Sequence, residues 1–237
     1  MLILAFDSTA KAASVALTEN RKLLADFVYD NGLTHSELLL PMAEDVLQKA
    51  KKGFEDIEAF ACNVGPGSFT GVRIGVSLVK GLAFEKKLPC VPVSTLEALA
   101  EGLAPLNGIL CPCMDARRGQ VYNALFRYEN GVLCRLTPDR AILLSDLLTE
   151  LSNEYRNYPI RLAGDGYDVA WRALSDADLM LLETPELLKR QNAYATARVA
   201  SRLLKDGKHV SHTELSPLYL RLPQAERDRL ETAKMQT

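Results

Sequence analysis

The feature that most narrows the fold is an architecture that starts twice. Residues 1–6 (MLILAF) form an unbroken apolar run, as in a strand covered on both faces. A polar turn, Asp7-Ser8-Thr9, follows. Residues 11–17 and 22–29 then read as two further strands joined at Asn20-Arg21. After Pro105-Leu106-Asn107-Gly108 the same order returns. A strand over 109–114 leads into the turn Asp115-Ala116-Arg117-Arg118-Gly119, then strands over 120–128 and 132–136 around Asn130-Gly131. The repeat is one of architecture, not of residue identity. It predicts a duplicated α/β fold with an Asp-led turn after the first strand of each half, divided into subdomains over 1–105 and 106–237.

The rest of each half alternates helices and strands. A helix is expected from His35 to about Lys51, opened by Thr34 with Glu37 at capping-box spacing and stopped at Gly53, with Pro41 as an internal irregularity. A strand over 56–64, a helix over 72–85, a strand over 88–93 and a helix over 95–103 complete the first half. The second half adds helices over 144–154 and 193–205, a strand over 160–163 before Gly164-Asp165-Gly166, and a polar tail from Glu226 that is expected to fray.

Charge and composition exclude several classes. The 237 residues hold 28 basic and 30 acidic side chains, a net charge of −2. Proteins that bind nucleic acid through its backbone are usually basic, so the whole-chain charge does not announce such a partner. No apolar run approaches the roughly 20 residues of a membrane span. The run at 1–6 has no basic region before it, unlike a signal peptide, so a cytoplasmic protein with no membrane partner is expected. The cysteines, Cys62, Cys90, Cys111, Cys113 and Cys134, are odd in number and irregularly spaced, as for reduced, buried thiols. Cys111-Pro112-Cys113 lacks a second ligand pair at zinc-site spacing, so no metal and no cofactor are expected.

Two helices carry more apolar surface than a sheet needs. Leu38, Leu39, Leu40, Met42, Ala43, Val46, Leu47 and Ala50 on the first, and Val72, Ile74, Val76, Leu78, Val79, Leu82 and Ala83 on the second, each span roughly 200° of arc, against about 100° for a one-sided helix. Either each is sandwiched between the sheet and the other, or together they form a docking surface for another chain. On the second reading the contact residues are Leu39, Met42, Val46, Val72, Val76 and Val79. Gly75 and Gly81 there suit close backbone approach.

The densest motif is Gly65-Pro66-Gly67-Ser68-Phe69-Thr70-Gly71, a strand–turn–helix of the layout that binds anions. It is not a Walker loop, and Gly67-Ser68-Phe69-Thr70 does not fit the frame of a nucleophile elbow. Ser68 or Thr70 can equally cap the helix, and Gly67 is expected to need a left-handed φ. Ser68 as a hydrolase nucleophile with His35 as base lacks an orienting third group. Asp7-Ser8-Thr9 could cradle phosphate, Asp115 could hold a metal-bound water, and Gly164-Asp165-Gly166 could lie beside adenine or ribose. Against this, the first turn has no glycine to bring backbone N–H groups close to a phosphate, and an Asp at a strand end is commonly a turn former.

Taken together, ILAFDST at 3–9, THSELLLP at 34–41, GPGSFTGVRIG at 65–75, VSTLEALA at 93–100, MDARRGQVY at 114–122 and PLYLR at 217–221 resemble the TsaB (YeaZ) family, in order and over most of the chain. The resemblance implies an actin-like/hexokinase-like (ASKHA) fold in two subdomains and a part in making N6-threonylcarbamoyladenosine at position 37 of tRNA. It implies a subunit that binds the catalytic paralogue TsaD and, through that complex, the ATPase TsaE. A homodimer is expected when the chain is alone, through the same apolar strip, and tRNA is expected as an indirect partner, with direct contact left open. TsaD carries a metal-binding His-x-x-x-His where this chain has Thr95 and Leu99, so the resemblance implies an inactive paralogue. The alternative is a stand-alone ASKHA-type ATPase or phosphotransferase.

Overall fold

The computed structural model describes residues 1–104 and 106–221. The tail expected from Glu226 lies outside the described residues. The first strands are β1 (Leu2–Asp7), β2 (Ala13–Glu19) and β3 (Lys22–Tyr29), followed by helix α1 (His35–Lys49). Then come β4 (Ala59–Gly65), α2 (Phe69–Phe84), β5 (Cys90–Ser94) and α3 (Thr95–Leu103). The sheet order is β3-β2-β1-β4-β5. β1 runs antiparallel to β2 and parallel to β4, which is parallel to β5.

Alternation along β1 decides what covers each face. Leu2, Leu4 and Phe6 point toward α1 and α2. Ile3 and Ala5 point to the opposite layer, where Ala16, Ala59, Ala61 and Ala98 meet the alanine-rich face of helix α7 (Ala193–Lys205). A cut at 105/106 would assign α7 to the second half of the chain, yet its side chains pack on the first sheet.

α1 begins as its spacing predicts: the Glu37 carboxylate accepts from the Thr34 N–H at 3.0 Å and from its hydroxyl at 2.6 Å. Its buried residues, Leu39, Met42, Ala43, Val46 and Leu47, follow a single helical stripe. Pro41 lies within the helix on the exposed side.

The second sheet contains β6 (Ile109–Arg117), β7 (Gln120–Asn123), β8 (Phe126–Glu129), β9 (Val132–Arg135), β10 (Arg140–Leu143), β11 (Ile160–Ala163) and β12 (Leu181–Leu182). Its main order is β10-β7-β6-β11-β12, with β8 joining β6 to β9. The strand expected over 120–128 is in fact two. β7 pairs with the end of β6, and β8 pairs with its beginning at Ile109 and Leu110. Between them the Leu125 N–H turns aside to the Thr137 hydroxyl at 2.8 Å.

Helix α4 (Leu144–Glu154) matches expectation, whereas β10, β12, α5 (Tyr167–Leu174) and α6 (Glu186–Lys189) are elements the sequence reading did not find. β10, β12 and α6 are four residues or fewer, too short to show a period. α3 closes the contact between the lobes, packing Leu96, Leu99 and Leu103 against Leu110, Met114 and Phe126. The two sheets, each opening on a strand, a turn and a hairpin, form the expected duplicated actin-like/hexokinase-like α/β architecture.

Candidate functional site

The turn after β1 is closed by the chain itself. Asp7, Ser8 and Thr9 are each at most 1% exposed. Asp7 Oδ1 accepts from the Thr9 N–H at 2.9 Å and the Thr9 hydroxyl at 2.7 Å. Its other oxygen accepts from the Asn63 amide, whose own oxygen accepts from Thr196 on α7 at 3.1 Å. Burial pushes the Asp7 carboxyl up to about 6. The hydrogen bonds from Thr9 and Asn63 oppose that rise, and the nearby Asp165 charge adds to it. The turn is therefore a satisfied buried network joining β1, β4 and α7 rather than an open phosphate cradle.

The glycine motif is the lid on that turn. The Ser68 N–H donates to the Thr9 carbonyl at 2.7 Å, and the Ser8 hydroxyl donates to the Gly71 carbonyl at 2.8 Å. A Cβ on Gly71 would collide with the Ser8 carbonyl oxygen, and one on Gly67 with that of Thr9. A Cβ on Gly75 would stand 2.5 Å from the Ser8 hydroxyl. Gly67 has a positive φ of +159°, as expected, and the Thr9 carbonyl beside it leaves no space for a Cβ, so backbone and space both select glycine there. Ser68 caps α2 by accepting from the Gly71 N–H at 3.2 Å, which is the capping role and not that of an activated nucleophile. Residues 211–221 then cross the motif's outer side. Leu218 donates to the Val64 carbonyl at 2.7 Å, and Tyr219 stacks on Phe69 at 4.8 Å.

The second Asp-led turn is open. The Asp115 N–H donates to Asp165 Oδ1 at 3.0 Å, and Asp115 itself turns outward to Arg117 at 3.1 Å. Burial raises the Asp165 carboxyl above its ordinary range, and the Asp115 charge adds to the rise. Asp165 borders a cleft of about 340 Å³ whose walls include Lys11, Tyr167, Asp168, Lys189 and Arg190. Arg190 reaches across it to Asp30 at 2.8 Å. Asp7, Asp115 and Asp165 thus gather near the cleft, and of these three Asp165 lines it.

All six residues expected to contact a partner point inward. Leu39, Met42, Val46, Val72, Val76 and Val79 are between 0 and 3% exposed and belong to the core between the helices and the first sheet. The correction has a simple cause. Each helix's best-defined stripe is the one the sheet claims, so the residues beside it form the outer strip. That strip consists of half-buried Leu38, Ile74, Leu78 and Leu82, with exposed Leu40. Gly81 has open space where a Cβ would stand.

Thr95 and Leu99 are 0 and 3% exposed, one turn apart on α3, and Leu99 packs in the apolar contact between the lobes. Neither side chain can coordinate a metal as imidazole does. Cys111 and Cys113 are both buried with Sγ atoms 3.9 Å apart, and the Asn123 amide donates to Cys111 Sγ at 3.3 Å. Burial pushes the Cys90 thiol up to about 11, as for the inert thiols expected. Among the described residues, no helix is long and apolar enough to cross a membrane.

The fold of two α/β lobes is the one that comparison with known proteins also finds. Residues 31–228 match the family described as TsaD: tRNA N6-adenosine threonylcarbamoyltransferase. The tRNA threonylcarbamoyladenosine biosynthesis protein TsaB of Bacillus subtilis is 32% identical over 235 residues, covering 99% of this chain and 100% of that one. Its Escherichia coli counterpart is 33% identical over 223 residues, covering 93% and 95%. The solved structure of YeaZ from Pseudomonas aeruginosa superposes with a TM-score of 0.79 at 25% identity, covering 92% of this chain and 99% of that one. The chain belongs to the TsaB (YeaZ) family, within the wider TsaD group, and so to the biosynthesis of threonylcarbamoyladenosine in tRNA.

Proposed function

We propose that this chain is a non-catalytic subunit of the tRNA-modifying assembly. It docks on TsaD through the outer strip of α1 and α2, and through that complex works with the ATPase TsaE. Alone, the same strip pairs two copies of the chain. The setting is the cytoplasm. The single observation that carries this reading is the filling of the reactive positions by packing residues. Thr95 and Leu99 stand buried where TsaD has its histidines, and the Asp7 turn is bonded throughout to its own chain. The α1–α2 pair supplies the complementary half of the argument: an outward row of apolar side chains beside a space left open at Gly81.

The test is co-purification with TsaD alongside size-exclusion chromatography. Leu78→Glu is expected to fold normally and to lose both TsaD and the dimer, because its side chain borders solvent. Val76→Glu is expected to unfold, because its side chain is in the core. A folded Leu78→Glu chain that keeps TsaD overturns the docking strip. Calorimetric titration with ATP and magnesium addresses the stand-alone ATPase: turnover by the isolated chain would overturn the non-catalytic assignment.

A further inference from the structure

The choice of two arginines in the Asp-Ala-Arg-Arg turn is explained neither by the fold nor by docking through α1 and α2. Arg117, Arg118 and Gly119 at the tip of the β6–β7 hairpin have φ of +65°, +55° and +71°. Hairpin tips with consecutive left-handed residues ordinarily use Asn, Asp or Gly, so turn geometry does not select arginine here. The Arg117 side chain is 84% exposed.

Successive contacts extend this basic tip across to the first lobe. Arg221 donates to the Ala116 carbonyl at 3.0 Å and lies over the Tyr122 ring at 6.0 Å. Two residues earlier, Tyr219 is 40% exposed and accepts from Arg73 Nε at 2.7 Å. Arg73 in turn lies over the Phe69 ring, 3.8 Å from its centroid. The neighbouring N-terminus of α2 has no acidic residue in its first turn. Asp115, the carboxylate at the hairpin, is already held by the Arg117 N–H at 2.8 Å and its guanidinium. A chain of net charge −2 thus has four arginines and exposed aromatic surface between the β6–β7 hairpin tip and the start of α2.

We infer that this surface is a direct contact for an RNA strand, with phosphates on Arg117, Arg118 and Arg221 and a base against Tyr219. Arginine forks match phosphate geometry, and aromatic rings held in place stack bases without regard to sequence. A row of groups spanning two lobes suits a strand better than a mononucleotide. The inference rests on the tRNA-modification reading for its ligand class and adds to it a surface on this chain that meets the tRNA itself.

The test is fluorescence anisotropy of the full chain with an unmodified tRNA anticodon stem–loop transcript across a salt series, with and without TsaD. Arg118→Ala is expected to weaken binding about fivefold near 0.1 M salt and to lower the log–log salt slope by about 0.7–0.9. Tyr219→Leu is expected to weaken binding with the slope unchanged, because it removes stacking and not charge. Lys208→Ala, at the other end of the first sheet, is expected to match the parent chain. Wild-type affinity in Arg118→Ala overturns the proposal even if Tyr219→Leu fails to fold by circular dichroism. An equal loss in Lys208→Ala, or displacement of the RNA by micromolar ATP, overturns it as well. Failure of the subunit reading has a different signature: the parent chain does not co-purify with TsaD, whatever the RNA result.

Discussion

The two Asp-led turns begin alike and end in opposite states. In each lobe the first strand is paired in parallel with a later strand, β1 with β4 and β6 with β11, and a glycine-bearing turn follows that later strand. In the second lobe Gly164-Asp165-Gly166 crosses close to β6: Gly166 donates to the Cys113 carbonyl at 3.0 Å, and a Cβ on Gly164 would collide with that same oxygen. In the first lobe the crossing is made by the longer 65–71 segment, which covers the whole turn. Asp7 is consequently inside, with both carboxylate oxygens hydrogen-bonded, while the Asp115 side chain is 22% exposed and paired with an arginine. Duplicated architecture therefore does not imply duplicated chemistry. The length of the crossing segment decides whether a turn becomes part of the core or part of the surface.

The most severe way to break that contrast is to force the lid off. Gly71→Val places a branched side chain against the Ser8 backbone, which has nowhere to move, so a loss of more than about 3 kcal/mol or outright failure to fold is expected. Denaturant unfolding followed by circular dichroism measures it, and a loss under about 1 kcal/mol would mean the lid is loose.

Next in size is the pH response of the sealed turn. The Asp7 carboxyl titrates near 6 in the folded chain, against an ordinary 3.8, so the folded state holds its proton more tightly than the unfolded state. That contribution is complete below about pH 4 and is lost as pH rises through 6, by up to about 3 kcal/mol. Parent stability relative to Asp7→Asn should therefore fall across this window. A difference independent of pH would show that the carboxyl is not sealed.

Ser68→Ala should cost about 1 kcal/mol through loss of the α2 cap, and the variant should still support tRNA modification in a reconstituted assay. Loss of modification at unchanged stability would restore a chemical role for the hydroxyl. The smallest effect belongs to the open turn. Gly119→Asn should change stability by no more than about 0.5 kcal/mol, because nothing stands near the added Cβ and Asn tolerates a left-handed φ. A large loss in thermal unfolding would show that the second turn is covered too.

Helix starts, strand faces and the double opening were legible because they depend on neighbours in the chain. Thr34 with Glu37, the alternation of β1 and the apolar period of α1 act over one to eight residues. The candidate contact residues were legible only as a set. Apolar periodicity marks which side chains avoid water, but it does not say whether a sheet or another chain excludes the water. So Leu39 and Val76, read as surface, lie in the core, and Leu78 and Ile74 take the outer positions.

Gly67, Gly71 and Gly75 were visible in the sequence, but what requires them lies 58 to 67 residues away, in the carbonyls and hydroxyl of Ser8 and Thr9. The class of fold, the duplicated opening, the two amphipathic helices and the absence of imidazole at Thr95 and Leu99 could all be read from local pattern and residue identity. That Asp7 is sealed while Asp115 keeps an exposed edge, that α7 serves the first sheet, and which helix faces remain outside became visible in the folded chain alone. Those outcomes are set by close approach between segments distant in the chain, where the size of one missing side chain determines whether two backbones can touch.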